Sequence, residues 1–271
     1  MSDKQLNNDD IKKVLVRMLG DFDNLCSENG IRYSIAFGTM LGAIRHKGFI
    51  PWDDDVDLFV PRQDFEKLRK IFNNKTNLQY GLISVEDNKD FNSILPKIVD
   101  KGTYLKQFTE GDIKKKRSFE LGVYIDLFIL DEIPDDSNLR DKVFKKTVLR
   151  QKIWSFSYFT PNKNHNTVVN TFRHFANSLN ISPILARKMN AKAQAYHGEC
   201  YGNLLLGGCP RPTYIISKKE FDELERFPFE NIQLNCVKSY DHLLAGWYGD
   251  YMKFPSEEDR VSNHTFAAYW K

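Results

Sequence analysis

Residues 37–60 read FGTMLGAIRHKGFIPWDDDVDLFV, and this stretch decides both the predicted fold and the predicted chemistry. Three consecutive aspartates are followed by a valine, a fourth aspartate and an apolar run typical of a buried strand. Asp55 and Asp57 flank Val56 in this run, so their side chains are predicted to project from one face of a sheet. Two carboxylates held that close repel each other and favour a divalent cation between them.

A Gly-Thr pair, Gly38 and Thr39, precedes the acidic stretch. The apolar run 33–37 predicts a strand that leads into this pair, and residues 40–46 have helical composition. Glycine lets backbone N–H groups approach a ligand closely, and Thr39 is predicted to cap the helix, so the helix start would offer donors to a phosphate. The pair alone is a weak signal, because most turn glycines before helices bind nothing. Its value comes from the acidic strand downstream.

A further aspartate, Asp126, interrupts the strongly apolar run 122–130. An ionised carboxylate inside such a strand costs free energy unless a partner neutralises it. We interpret Asp55, Asp57 and Asp126 as catalytic carboxylates that bind one or two Mg²⁺ (or Mn²⁺) ions for phosphoryl transfer. The alternative is that residues 53–55 form a solvated turn and Asp126 pairs with an arginine.

The composition is typical of a soluble globular protein, with 41% hydrophobic and 28% charged residues among 271. The net charge of +3 is too balanced for a dedicated nucleic-acid binder. The basic run 114–117 is either a solvated loop or a contact to a phosphate-bearing partner or membrane surface. A polar amino terminus and no long apolar run predict a cytoplasmic protein, with the inner face of the cell membrane as a peripheral contact. Four scattered cysteines predict reduced thiols.

The pattern predicts an α/β (α+β) architecture in two parts. Residues 1–135 alternate helical and strand patterns and form the predicted catalytic core, whereas 136–271 form a helical region and a carboxy-terminal segment that closes the cleft. The two parts are expected to pack as one compact unit. Helices are predicted from residue 11 to Asn29-Gly30, over 65–72, 137–160 and 168–200, after the capping box Ser217–Glu220, and over 241–248.

Basic and aromatic residues around the acidic stretch are candidates for binding a nucleotide or phosphate. Arg45, His46 and Lys47 either hold a diphosphate or complement the dipole at a helix C-terminus. Lys97, in the apolar run 95–99, either contacts phosphate or pairs with a carboxylate. Trp52 either stacks on a nucleobase or anchors its loop.

Further aromatic and basic residues are candidates for a second part of the binding site. Five aromatic residues either line a ligand site or belong to the core: Trp154, Tyr158, Trp247, Tyr248 and Tyr251. Three residues near the carboxyl terminus either close over the site or form a surface ion-pair network: Lys253, Arg260 and His264.

The chain resembles the LicD phosphocholine transferase family, which includes fukutin-like proteins. The resemblance rests on Gly38-Thr39, on RHKGFIPWDDDVD at 45–57, and on three further segments. These are KIVD at 97–100 with Thr103, GVYIDLFILD at 122–131, and YGDYMK at 248–253 with Pro255, Arg260 and His264. Ile129 stands where many relatives have proline, a departure expected to affect a strand end and not a ligand.

This resemblance implies a nucleotidyltransferase-type mixed sheet flanked by helices. It also implies transfer of phosphocholine, or a related phospho-alcohol, from CDP-choline or another CDP-alcohol to a hydroxyl of a cell-surface glycan. The quaternary ammonium group of choline would require aromatic faces, which the five aromatic residues named above can supply. The acceptor would be lipopolysaccharide or a teichoic acid precursor, lipid-linked, with release of CMP and Asp126 as the candidate base. Two alternatives stay open: a nucleotidyltransferase that releases pyrophosphate, and a catalytically silent binding protein for the glycan or its lipid carrier.

Overall fold

The computed structural model describes residues 4–74, 78–107, 118–158, 167–205, 215–260 and 266–271. The basic run 114–117, Cys209, His264 and the end of the helix predicted to reach residue 160 lie outside these ranges. The helices are α1 (Asn8–Glu28), α2 (Phe37–His46), α3 (Arg62–Asn74), α4 (Ser137–Tyr158), α5 (Thr167–Ser178), α6 (Ser182–Ala193), α7 (Lys218–Asp222) and α8 (Tyr240–Tyr248).

The strands alternate with these helices along the first half of the chain and return after the three consecutive helices α4, α5 and α6. They are β1 (Ser34–Ile35), β2 (Asp57–Pro61), β3 (Tyr80–Ile83), β4 (Lys97–Asp100), β5 (Thr103–Gln107), β6 (Tyr124–Ile133), β7 (Cys200–Gly202), β8 (Ile215–Ser217), β9 (Leu224–Phe229), β10 (Ile232–Val237) and β11 (Phe266–Trp270). The predicted mixed α/β class is confirmed.

The main sheet has the strand order β1-β2-β6-β4-β3. The central pair β2–β6 is parallel, whereas β1 and β4 pair antiparallel to their neighbours. The far end of β6 pairs with β7, which in turn pairs with β8. Strands β7 and β8 therefore extend the sheet that the first half of the chain begins. The division into two parts at residue 135 stays a prediction.

Helix α1 packs its apolar stripe, from Ile11 to Cys26, into the core beside this sheet. Asn7 begins the helix with a capping box, in which its side chain accepts from the Asp10 N–H at 2.8 Å. The chain leaves the helix at Asn29, as predicted, and Gly30 takes the left-handed conformation at φ 59°. The capping box at Ser217 and Glu220 is also confirmed.

Two antiparallel strand pairs hold the carboxy-terminal part against the core. Strands β9 and β10 pair antiparallel and contact β1, α1 and α2. Strand β11 pairs with β5, and Leu6 N–H donates to the Ala268 carbonyl at 2.8 Å. Sequence patterns did not predict β5, β7, β9, β10 or β11.

Several predicted boundaries are wrong. The helix predicted over 168–200 is two helices, α5 and α6, separated at Asn180, which has a φ of 48°. Strand β6 continues to Ile133, so Ile129 lies inside it, paired with Val60, and not at a strand end. Isoleucine supplies the backbone N–H that proline lacks, so the strand can run on to its contact with β7.

Candidate functional site

Three charged residues form a row across adjacent strands of the main sheet. Asp57, the first residue of β2, is the register partner of Asp126 on the parallel strand β6. Asp126 is in turn the register partner of Lys97, the first residue of β4. Register partners on neighbouring strands project their side chains from the same face of the sheet. The predicted meeting of Asp57 and Asp126 on neighbouring strands is therefore confirmed, and we call these three residues the acidic row.

Lys97 is the partner that the buried Asp126 requires. Its Nζ lies against Oδ1 of Asp126, and the two side chains are only 12% and 15% exposed. The same ammonium group lies 3.7 Å from the ring centroid of Tyr124, two residues before Asp126 on the same strand face. Of the two roles predicted for Lys97, the structure contains the ion pair with a carboxylate. Burial, followed by the charges of Asp126 and Asp55, raises the pKa of Tyr124.

Negative charge accumulates at Asp57 beyond what Lys97 offsets. Burial raises the pKa of Asp57 well above its usual value, and the carboxylates of Asp55, Asp126 and Asp53 raise it further. Lys97 opposes this shift without cancelling it. The site therefore favours either a proton on Asp57 or a bound cation.

Asp55 does not lie on the strand as predicted. Strand β2 begins at Asp57, so Asp55 occupies the irregular segment before it, from which its charge still reaches Asp57. Among the residues that the structure describes, no three His, Cys, Asp or Glu side chains gather closely enough to form a metal-binding group. In the structure Lys97 pairs with Asp126 and offsets only part of the negative charge at Asp57.

The Gly-Thr pair lies in the first turn of α2, which begins at Phe37 and not after Thr39. The N-cap residue is Ala36, which has no side-chain cap, so the predicted capping role of Thr39 is wrong. Thr39 instead accepts a hydrogen bond at Oγ1 from the Asp57 backbone N–H, at 2.9 Å. This bond joins the start of α2 directly to the start of β2.

Gly38 brings the helix start close to the acidic segment. A Cβ atom at this position would lie 2.8 Å from Oδ2 of Asp53, nearer than side chains tolerate. The backbone N–H groups of Gly38 and Thr39 lie in the first turn, where a helix supplies no carbonyl acceptor. The first turn of α2 and the acidic row therefore border the same space.

At the other end of α2, Arg45 holds the carboxy-terminal segment. Its Nη1 donates to the carbonyls of Tyr251 at 2.8 Å and Lys253 at 3.3 Å, and its guanidinium lies 4.8 Å from the Phe254 ring centroid. Burial lowers the pKa of Arg45. Its Nε donates to Nε2 of His46 at 2.9 Å. Burial and the Arg45 charge both lower the pKa of His46, so this imidazole is neutral at pH 7 and can accept.

Aromatic rings and a second arginine complete this end of the site. Arg260 lies 5.7 Å from the Trp52 ring centroid and 5.6 Å from that of Phe254, and His46 packs edge-on against Phe254 at 5.4 Å. A cavity of about 590 Å³ opens here, lined by residues that include Arg45, Trp52, Tyr248 and Lys253. We call it the Trp52 cavity. The sequence analysis did not identify Phe254, although it named the neighbouring residues Lys253 and Pro255.

The remaining predicted site residues are scattered. Trp247 packs against Phe37 at 4.6 Å and Phe59 at 5.9 Å between ring centroids, behind the start of α2. Trp154 is buried in α4, stacks on Tyr158 and donates from Nε1 to the Asn92 carbonyl at 2.9 Å. The half-buried Tyr251 lies on the carboxy-terminal segment, where its hydroxyl donates to Asp241. The structure thus gathers Trp52, Tyr248, Tyr251, Lys253 and Arg260 near one another and leaves Trp154 in the helical region.

The chain is also similar in sequence to known proteins. A family model described as LicD/FKTN/FKRP, nucleotidyltransferase domain, matches residues 30–175, which contain the whole acidic row. The chain is similar to the lipopolysaccharide cholinephosphotransferase LicD of Haemophilus influenzae, at 30% identity over 98% of this chain and 99% of that protein. It is also similar to an uncharacterized protein of Rickettsia prowazekii, at 32% identity over 50% of this chain and 47% of that protein.

Proposed function

This chain belongs to the LicD/FKTN/FKRP family of nucleotidyltransferase-domain proteins, and from that membership we propose that it is a phosphocholine transferase. The donor is CDP-choline or a related CDP-alcohol, and the acceptor is a hydroxyl of a cell-surface glycan. CMP leaves. The relative that matches over nearly its full length is named for transfer to lipopolysaccharide, which supports a glycan acceptor of that kind or a lipid-linked teichoic acid precursor.

The acidic row is the observation that carries this proposal. Phosphoryl transfer requires opposite charges arranged around the phosphate oxygens and a group that accepts the proton of the attacking hydroxyl. Asp57, Asp126 and Lys97 supply both charges within one register row of the sheet.

The donor set fits Mg²⁺ or Mn²⁺. Carboxylate oxygens are the ligands that these ions prefer, and the raised pKa of Asp57 reflects negative charge that Lys97 does not fully offset. We propose that Asp57 and Asp126 hold the ion. Asp55, which the structure does not gather into one metal-binding group with them, would move in as a further ligand. The bound ion would supply Lewis-acid stabilisation of the charge on the phosphate oxygens.

The chain's own residues bind and orient the donor. The diphosphate is proposed to lie between Lys97 and the backbone N–H groups of Gly38 and Thr39, where it competes with Asp126 for the ammonium group. Release of Asp126 from Lys97 makes its carboxylate available to accept the proton of the acceptor hydroxyl as that oxygen attacks phosphorus. The bond from phosphorus to the CMP oxygen breaks as the new bond forms.

The Trp52 cavity is the proposed place of the CMP moiety. The Trp52 indole and the Phe254 ring offer faces for a nucleobase, and Arg260 lies against both rings. Arg45 and His46 support this cavity: Arg45 binds two carbonyls of the carboxy-terminal segment, so it positions Phe254. Tyr248 and Lys253 line the same cavity.

The test is turnover by purified protein with CDP-choline, Mg²⁺ and a glycan acceptor. We expect choline phosphate on the acceptor and CMP in solution, and a loss of about a hundredfold or more in Asp57→Asn. Asp9→Asn, a change of the same kind at an exposed position in the first turn of α1, is the matched control and should keep full activity. Pyrophosphate in place of CMP would identify a nucleotidyltransferase. An intact donor with both proteins would identify a binding protein.

A further inference from the structure

The helices α4, α5 and α6 differ in charge from the rest of the chain. Residues 137–193 contain eleven lysine and arginine residues and one acidic residue, Asp141. The whole chain has a net charge of only +3, so the remainder is net acidic. A positive charge confined to one structural unit is a signature of binding to a polyanionic surface.

This basic unit also exposes large apolar side chains. Helix α5 carries Val168, Phe172 and Phe175 at the three-and-four spacing of one helix face, and each is 62–63% exposed. Leu179, in the turn that follows the helix, is 54% exposed. No residue of α5 is buried, and none is acidic. Soluble proteins rarely leave a contiguous apolar face of this kind without a partner.

Helix α4 continues the same surface. Leu149 and Ile153 are 60% and 51% exposed and one turn apart. Phe156 extends their stripe, and its ring lies 5.5 Å from the Arg173 guanidinium of α5, so the stripe reaches the second helix. Four exposed lysines lie on the same side of α4 by helical spacing: Lys142, Lys145, Lys146 and Lys152. None of the described contacts pairs these lysines with an acidic side chain.

We propose that the exposed face of α4 and α5 is a docking surface for an anionic lipid bilayer. Lysines beside an apolar stripe can extend towards headgroup phosphates while the stripe enters the acyl boundary. Among the described residues, no helix has the length and apolarity needed to cross a bilayer, so the surface lies on the membrane. A second copy of the chain would bring an equally basic face and be repelled. A nucleic acid would leave Val168, Leu149 and Ile153 without apolar partners.

The loop between β3 and β4 connects helices α4 and α6 to the acidic row. Trp154 of α4 donates to the Asn92 carbonyl, and Arg187 of α6 donates to the Lys89 carbonyl at 2.6 Å. The chain passes from this loop into β4, which begins at Lys97. Docking on a bilayer would therefore hold the site near lipid-linked acceptors.

The test measures cosedimentation of the full chain with vesicles of phosphatidylcholine alone and with vesicles containing phosphatidylglycerol as well. No donor or metal is needed, so failure of the proposed transfer reaction would not affect the result. We expect binding to the anionic vesicles to be at least about tenfold tighter and to weaken with added salt. Phe172→Gln/Phe175→Gln and Lys145→Glu/Lys152→Glu should each lose about tenfold or more.

Lys13→Glu/Lys70→Glu is the matched control, because it makes the same charge change at exposed positions on α1 and α3. It should bind as the unchanged protein does, and all variants should keep their thermal unfolding midpoint. The proposed surface is supported if the control binds as tightly as the unchanged protein and either face variant binds more weakly. No binding to anionic vesicles, or undiminished binding by both face variants, would overturn it. So would a dimer in sedimentation velocity that Phe172→Gln/Phe175→Gln dissociates, or binding to single-stranded RNA in preference to vesicles.

Discussion

The Lys97 ammonium group lies against the Asp126 carboxylate across two antiparallel strands, where both side chains are nearly buried. Lys97→Met should lower the free energy of unfolding by about 3 kcal/mol, because it leaves a buried carboxylate without its cation. Activity should fall about a hundredfold, since the proposed diphosphate contact is lost as well. Lys97→Arg keeps the charge and should retain more of both. Chemical unfolding and initial rates measure the two effects; unchanged activity in Lys97→Met would contradict the phosphate role.

Removing the Asp57 charge should stabilise the protein while it abolishes activity. The folded structure holds Asp57 near three other carboxylates, so its charge is unfavourable when no cation is bound. In EDTA at pH 8, Asp57→Asn should therefore unfold at a higher temperature than the unchanged protein. Adding Mg²⁺ should raise the midpoint of the unchanged protein more than that of the variant. A lower midpoint for Asp57→Asn in EDTA would show that the carboxylate is well compensated without metal.

Two glycines of α2 should respond differently to alanine. In Gly38→Ala the new Cβ meets the Asp53 side chain, which can move, so stability should change by less than about 1 kcal/mol while activity falls. In Gly42→Ala the Cβ would lie 2.4 Å from the Gly48 carbonyl oxygen, which is backbone. That variant should lose about 2 kcal/mol or more. Thermal unfolding and turnover of the pair separate a site effect from a packing effect.

Arg45 should determine the order of the carboxy-terminal segment. Arg45→Met removes both carbonyl contacts and the contact with Phe254. Amide hydrogen exchange over residues 250–256 should then accelerate, and the KM for the donor should rise about tenfold or more. Lys47→Met makes the same charge change two residues away at an exposed position and should do neither. Equal exchange rates in the two variants would show that Arg45 does not keep this segment ordered.

Asp87 should confer a pH-dependent part of stability. Arg69 binds it through Nε and Nη2 at 2.9 and 2.7 Å, and Ser84 donates at 2.9 Å, so the pKa of Asp87 is lowered. A lowered pKa contributes stability that is present above the unfolded value of 3.8 and is lost as pH falls through the folded value. Asp87→Asn should cost about 1–2 kcal/mol at pH 7 and progressively less below about pH 4. A cost that stays constant down to pH 2.5 would contradict the ion pair.

The sequence predicted site residues whose local pattern already indicates their chemistry, but not the contacts that depend on strand order and register. Asp57 and Asp126 were identified because a carboxylate inside an apolar run has few structural explanations, and the structure sets them opposite each other. Lys97 as the partner of Asp126 was not predictable, since strand order and register join them, and neither follows from residue types. The role of Thr39 was wrong for the same reason: its acceptor function depends on where β2 begins.

The strands that the sequence analysis did not predict show a second limit of prediction from sequence. The β9 sequence LERFPF contains a proline and mixes charges with apolar residues, so its propensity for a strand is weak. It forms because the hairpin with β10 packs against β1, α1 and α2, and Glu230 accepts a φ of 54° at the turn. Tertiary packing overrides local preference there.

The parallel contact between β2 and β6 has a kinetic consequence. Asp57 and Asp126 are about seventy residues apart in the chain, so a long loop must close, at an entropic cost, before their strands can meet. A polypeptide refolding from denaturant can form α1 and the β9–β10 hairpin by short-range contacts while it still lacks its charged centre. Recovery of turnover should therefore lag behind recovery of helical signal, and the chain stays catalytically silent until its most distant segments have come together.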